Sequence, residues 1–160
     1  MAAPALSGRV LGGTLLASIA AVVAALVAQH GFGVHACPWC VLQRGIFMLL
    51  AVEALLGLLV RGWLRALLLV LVIALAIGGV VAAVYQHEVA AQTASCALGF
   101  ADHVISNFQL EDRLPYVFMV TANCAEAAAY RLLGLPYEVW SGALFTLIAL
   151  GGVLGLKRLR

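Results

Sequence analysis

The sequence predicts an all-α membrane protein in which four transmembrane helices form one bundle. Two observations support this fold class. The chain has 160 residues, of which 65% are hydrophobic and 10% are charged, whereas soluble domains are about half apolar and about a quarter charged. Four segments are also apolar enough to cross a bilayer, which takes roughly 20 residues. These predicted spans are residues 10–28, 41–60, 64–85 and 139–156.

The links between the spans divide the chain into two sides of a membrane. We interpret residues 1–160 as a single integral membrane domain with a first external loop at about 29–40 and a longer second one at about 86–138. Six of the nine basic residues flank the opposite ends of the spans: Arg9, Arg61, Arg65, Lys157, Arg158 and Arg160. Because short cytoplasmic loops carry an excess of Lys and Arg, we expect both termini in the cytoplasm. Charges in these positions do not form a nucleic-acid-binding patch.

The first span also has some features of a signal peptide, because Arg9 precedes an apolar stretch. The stretch is longer than a usual signal-peptide core, and no clear cleavage motif follows it. We therefore interpret it as a retained transmembrane helix in contact with membrane lipid.

All four cysteines are predicted on the external side. Cys37 and Cys40 belong to the first loop, and Cys96 and Cys124 belong to the second. External disulfides are typical of an oxidising compartment such as the bacterial periplasm. Four cysteines allow three pairings, and spacing alone does not choose among them. Zinc is disfavoured because the second pair lacks close ligand spacing, so we expect no metal.

Cys37-Pro38-Trp39-Cys40 has the spacing of a thiol pair that can close a small, reducible disulfide. We expect a helix to begin near Val41, and the dipole at a helix N-terminus favours a thiolate at Cys40. Arg44 follows one helical turn later on the same face. Its permanent charge can stabilise that thiolate or an anionic acceptor. The alternatives are a structural disulfide and an arginine that only anchors the helix.

The second loop has two features that allow a structural interpretation. A disulfide between Cys96 and Cys124 would close a loop of about 28 residues and stabilise it. The apolar run 114–120 is too short to span a membrane, and we expect it either along the membrane surface or in a small packed core. Within the second predicted span, Glu53 lies half a turn out of phase with Arg44, so we expect it to pack away from that site.

Together these residues resemble the disulfide bond formation protein B (DsbB) family of bacterial inner-membrane thiol oxidases. The resemblance covers nearly the whole chain, from the four spans to the two cysteine pairs. It rests on local motifs as well: Cys40-Val-Leu-Gln-Arg44, Tyr85-Gln86-His87, and Cys124-Ala125-Glu126 followed by Leu133-Gly134-Leu135-Pro136 and Trp140.

The resemblance implies a thiol:quinone oxidoreductase in the bacterial inner membrane. A periplasmic thioredoxin-fold dithiol oxidase of the DsbA type would pass electrons to Cys96 and Cys124, then to Cys37 and Cys40, and then to a membrane quinone. The quinone would be ubiquinone or menaquinone. This relay is the known DsbA–DsbB–quinone system that keeps the bacterial periplasm oxidising.

By family position, Cys96 would form the mixed disulfide with the partner, and Cys40 would contact the quinone ring. Arg44 and His87 would lie near the quinone oxygens. Two alternatives remain: a membrane scaffold whose disulfides are only structural, and a DsbB paralogue that serves a dedicated partner. Vitamin K epoxide reductases also combine a helical bundle, a CxxC pair and a quinone, but in a different helix order.

Overall fold

The computed structural model describes residues 3–92 and 99–158, most of which are helical. Four long helices can cross a membrane by length and composition: α1 Ala3–Phe32, α2 Pro38–Leu59, α3 Trp63–Glu88 and α8 Tyr137–Lys157. Between α3 and α8 follow a short 3₁₀ helix, Ala90–Gln92, and four short helices, α4 Phe100–Asn107, α5 Leu110–Arg113, α6 Pro115–Phe118 and α7 Cys124–Ala127. A small hairpin, β1 Arg131–Leu132 and β2 Leu135–Pro136, precedes α8.

The predicted fold class is confirmed. Each predicted span lies within one of the long helices, apart from residue 60, which caps the end of α2. The loops are shorter than predicted because α1 continues to Phe32, α2 begins at Pro38 and α3 continues to Glu88. The first loop is therefore residues 33–37, and the second loop is residues 89–136.

The four long helices form a closed ring, in which α1 and α3 each contact both α2 and α8. At the centre the rings of Phe47 and Phe145 stack with their centroids 4.0 Å apart. Gly79 on α3 makes room for this pair, because a Cβ atom there would lie 2.6 Å from the Phe145 ring. Large apolar side chains such as Leu16 and Leu147 point outward, as expected for a helix surface in lipid.

Arg65 closes the turn between α2 and α3. Its Nε donates to the carbonyl oxygens of Gly57 and Val60, both at 3.0 Å. Helix ends leave such carbonyls without partners, so the basic residue satisfies the end of α2. Gly62 in the turn has φ +66°, a conformation that favours glycine.

The two loops at the other end of the bundle are joined by hydrogen bonds that we call the loop clasp. The Ala36 carbonyl oxygen accepts from the backbone N–H groups of Thr121, at 2.9 Å, and Ala122, at 3.2 Å. In return, the Ala36 N–H donates to Thr121 Oγ1 at 2.9 Å. The clasp holds the second loop against the residue that precedes Cys37.

The apolar run 114–120 contributes to a packed core next to the clasp. It contains α6, whose Phe118 is buried. The buried members of this cluster are Ala36, Val41, Ile105 and Phe118. Of the two alternatives drawn from the sequence, the packed core is therefore present.

The hairpin before α8 was not predicted. Leu133 and Gly134 form its turn, with φ +54° and +84°, and two positive φ values are the signature of a type I′ turn. Trp140 Nε1 donates to the Leu132 carbonyl oxygen at 3.0 Å. This bond ties the hairpin to the first turn of α8.

Candidate active site

The first cysteine pair lies at the N-terminus of α2. Cys37 is the N-cap residue and its sulfur accepts from the Cys40 N–H at 3.3 Å, with Pro38 in the first helical position. The prediction that the helix begins near Val41 is therefore wrong by one turn. Proline is preorganised for the first helical position, and the Cys37 sulfur supplies the cap, so Cys40 lies inside the first turn of α2.

The two sulfurs of this pair are 2.7 Å apart, and both cysteines are free thiols. Cys37 is completely buried, whereas Cys40 is partly exposed. The hydrogen bond to Cys40, together with burial, raises the pKa of the Cys37 thiol far above its usual range. Cys37 therefore stays protonated and is the donor in the hydrogen bond to Cys40. Cys40 is then the sulfur of the pair that can carry a negative charge.

Cys40 receives a second hydrogen bond, from Gln86 on α3. Gln86 Nε2 donates to Cys40 Sγ at 3.2 Å. Gln43 Nε2 in turn donates to Gln86 Oε1 at 2.7 Å, and Ser141 Oγ donates to Gln43 Oε1. The sequence predicts no role in the site for these three residues. The available signal is one glutamine in each of two mostly apolar helices.

Arg44 lies one turn below Cys40, as the spacing predicts, and its side chain is fixed. The residue is 6% exposed, and its Nη1 donates to the carbonyl oxygen of Val117 at 3.0 Å. Val117 belongs to α6 in the second loop. The second loop thereby holds the guanidinium near the cysteine pair.

A cavity of about 660 Å³ opens beside this pair. Its apolar wall comes largely from α1, through Ala21, Ala24, Ala25, Val27, Ala28 and Phe32. Its polar lining includes Cys40, Gln43, Arg44, Gln86, Glu138 and Ser141. The cavity is therefore apolar along one helix and polar where the cysteine is, and Glu53 does not line it.

His87 does not line the cavity that contains Cys40. Its Nδ1 lies 3.1 Å from Glu138 Oε1, and its side chain is about half exposed, whereas that of Glu138 is buried. His87 borders a smaller cavity of about 240 Å³, which Glu138 also lines. Within the described residues, Glu138 thus separates His87 from the larger cavity.

Cys124 is buried at the start of α7 and is disulfide-bonded. Asn123 caps this helix, since its Oδ1 accepts from the Glu126 N–H at 2.8 Å. Cys124 shares one buried cluster with Cys37, so the two loops bring members of both cysteine pairs together. Cys96 lies outside the described residues, and its pairing stays a prediction.

No group of three or more His, Cys, Asp or Glu residues within 3–92 and 99–158 is arranged to hold a metal ion.

The fold and the site define a four-helix membrane protein with a thiol pair at the edge of an apolar cavity. The family model for Disulfide bond formation protein DsbB matches residues 8–155. The chain therefore belongs to the DsbB family.

Relatives from three bacteria agree with this assignment. The chain is 30% identical to Disulfide bond formation protein B of Aromatoleum aromaticum, over 84% of this chain and 83% of the relative. It is 32% identical to Disulfide bond formation protein B of a Polaromonas species, over 97% and 94% of the two chains. It is also 32% identical to Disulfide bond formation protein B 1 of Pseudomonas aeruginosa, over 79% and 80%. Together these findings support a disulfide-forming oxidoreductase with several membrane-spanning helices.

Proposed function

We propose that this protein reoxidises a periplasmic thioredoxin-fold dithiol oxidase of the DsbA type and passes the electrons to a membrane quinone. The electrons enter at Cys96 and Cys124, move to Cys37 and Cys40, and leave to the quinone. One observation carries the proposal: Cys40, a member of a free thiol pair, lies among the polar groups that line a mostly apolar cavity between membrane helices.

The cavity fits a quinone in size and chemistry. Ligand sites in proteins enclose about 300–1,000 Å³ and are mostly apolar, with a few polar groups that fix orientation. Here Cys40 and Arg44 supply polar groups and α1 supplies the apolar wall. The same lining suits ubiquinone and menaquinone, because both combine a polar ring edge with an apolar tail.

The thiol pair is arranged to release two electrons. A bound quinone accepts two electrons and two protons and leaves as a quinol. Cys40 provides the electron pair, the Cys37–Cys40 disulfide forms, and the two thiol protons balance the reduction. Arg44 stabilises the negative charge that develops near the quinone ring. Its guanidinium is buried, and a fixed cation stabilises developing charge more strongly in a desolvated site than in water.

The relay between the pairs is supported by the common cluster of Cys37 and Cys124. Disulfide exchange proceeds by attack of a thiolate on a disulfide sulfur, so the two pairs must approach each other. The loop clasp keeps the loops that carry them in contact. In this proposal Cys96 forms the mixed disulfide with the partner.

We propose that His87 acts on the site through Glu138. The buried carboxylate lines both cavities, and the half-exposed imidazole is its hydrogen-bond partner. As the hydrogen-bond partner of this carboxylate, His87 can keep Glu138 oriented.

The test is an anaerobic reaction of the oxidised protein with a reduced DsbA-type oxidase and a soluble quinone, followed by quinone absorbance. Stoichiometric loss of quinone is expected, with none in Cys40→Ser or Cys96→Ser proteins. An intact reaction in either variant would reject the relay. Inert cysteines in the parent protein would favour a scaffold with structural disulfides, and a reaction with only one of several partners would identify a dedicated paralogue.

The proposed location is the bacterial inner membrane, with both termini in the cytoplasm and the cysteines on the periplasmic side. The basic residues at the other end of the bundle lie in or next to the turn between α2 and α3 and near the outer ends of α1 and α8, and Arg65 is one of them. Cysteines introduced singly at Trp63 and Ala125, which are exposed at opposite ends of the bundle, distinguish the sides in a variant without the four native cysteines. A membrane-impermeant maleimide applied to intact cells should label only the latter, and the reverse pattern would invert the topology.

A further inference from the structure

Three side chains from three different helices form a hydrogen-bonded row that ends on Cys40. The row begins with the Ser141 hydroxyl on α8, which is within hydrogen-bond distance of two acceptors, Gln43 Oε1 on α2 and the Glu138 carbonyl oxygen of its own helix. Its single proton joins the row when it is donated to Gln43. Gln43 Nε2 donates to Gln86 Oε1 on α3 at 2.7 Å. Gln86 Nε2 then donates to Cys40 Sγ at 3.2 Å. The DsbB family assignment does not by itself give this row a role.

The two glutamines in the middle of the row are buried, so the hydrogen bonds of their amides are costly to lose. Gln86 is 2% exposed and Gln43 is 4% exposed. An amide held away from water needs partners for its polar atoms. Each glutamine uses its oxygen for the bond on the Ser141 side and its nitrogen for the bond on the Cys40 side. The orientation of one amide therefore fixes that of the next, and the end that reaches Cys40 is a donor.

A hydrogen-bond donor at this position suits Cys40, because this sulfur becomes negatively charged when it loses its proton. Hydrogen bonds to ionised groups are about twice as strong as neutral ones. The Cys37 sulfur lies 2.7 Å from Cys40 Sγ and, because Cys37 stays protonated, it is a second hydrogen-bond donor to the same sulfur. An amide cannot lose its donor by ionising, unlike a carboxyl group at the same place, so the bond is present throughout the physiological pH range.

We propose that Gln86 is a catalytic residue that stabilises the Cys40 thiolate, and that Gln43 and Ser141 are positioning residues that hold its amide. The inference rests on the proposed redox cycle of Cys37 and Cys40. When a thiolate of the second pair attacks Cys37, a bond forms between those two sulfurs and the Cys37–Cys40 bond breaks. The electron pair of the broken bond stays on Cys40, where Gln86 donates.

The first test compares the parent with Gln86→Leu, which has similar bulk and no donor. Both proteins are reduced in detergent and treated with iodoacetamide over a range of pH, and the Cys40 peptide is quantified by mass spectrometry. At neutral pH the variant should react about tenfold more slowly, the change expected when a hydrogen bond to a charged group is lost. The rates should converge at high pH, where every Cys40 is ionised. A general loss of structure would change the rate at all pH values.

The second test keeps Gln86 and removes the other end of the row. Ser141→Ala should slow the same reaction at neutral pH by about threefold, as expected for one neutral hydrogen bond. Thr146→Ala is the matched control, because this hydroxyl on α8 donates to the Gly142 carbonyl oxygen of its own helix. The control should react like the parent. Ser141→Ala removes a single oxygen, so it carries the test if Gln86→Leu does not fold.

The role of the row is rejected if Gln86→Leu folds and its Cys40 is alkylated at the parent's rate across the pH range. It is also rejected if Cys40 is alkylated at the same rate in Ser141→Ala and Thr146→Ala. These assays contain neither quinone nor partner protein. A parent that fails to reduce quinone but shows the expected alkylation series would reject the proposed function alone. Normal quinone turnover with a flat alkylation series would reject the inference alone.

Discussion

Replacing Thr121 with valine tests how the second loop is held on the first. Valine has nearly the same volume, but its methyl group cannot accept the hydrogen bond from the Ala36 N–H. Ala36 is 3% exposed, so the freed N–H stays away from water. A buried donor without a partner costs about 1–3 kcal/mol. The equilibrium between the open and the closed clasp should therefore shift toward opening by about 5- to 150-fold.

Amide hydrogen exchange in a lipid nanodisc measures this shift, because exchange reports local opening. Peptides that contain Ala36 or Thr121 should exchange faster by that factor, while peptides from the centre of α2 should be unchanged. Thr146→Val is the control, since its hydroxyl is exposed and bonds only within α8. Loop exchange that is as slow in Thr121→Val as in the parent would refute the assigned role of the hydroxyl.

Three other variants or reagents probe the site and the bundle. In the reduced protein at neutral pH, iodoacetamide should label Cys40 well before Cys37, because the raised pKa and burial of Cys37 keep it protonated; equal labelling by mass spectrometry contradicts this. Arg44→Ala should lower kcat and kcat/KM for quinone together while partner docking is unchanged, because the lost interaction forms as charge develops, and normal quinone kinetics exclude the role. Phe145→Ala should lower the free energy of unfolding by about 3–5 kcal/mol, measured by denaturant titration in detergent, whereas a loss below about 1 kcal/mol contradicts the packing.

The four spans could be predicted because the bilayer restricts the backbone so strongly. A segment in lipid must satisfy its own hydrogen bonds, so long apolar stretches become helices whatever surrounds them. Ends of helices are less restricted, and α2 begins at Pro38 because the Cys37 sulfur caps it. The turn at Leu133 and Gly134 escaped prediction, since leucine rarely adopts a positive φ.

Part of the candidate site could also be predicted from local spacing. Cys40 and Arg44 are separated by one helical turn, and both line the cavity. In the sequence Gln86 is only the middle residue of a family motif, yet its amide reaches Cys40. His87, the neighbouring residue in that motif, faces the smaller cavity instead. Adjacent residues on a helix point about 100° apart, so a motif does not say which of its members enters a site.

The sequence by itself determined the class of this protein: four apolar helices, a CxxC pair next to an arginine, and membership of the DsbB family. These features depend on composition and on the local order of residues, so they can be recognised before the helices are packed together. The tertiary structure decided which polar groups meet the sulfur. Gln43, Gln86 and Ser141 come from three helices, and only the packing of those helices aligns their side chains in a row whose last member, Gln86, donates to Cys40.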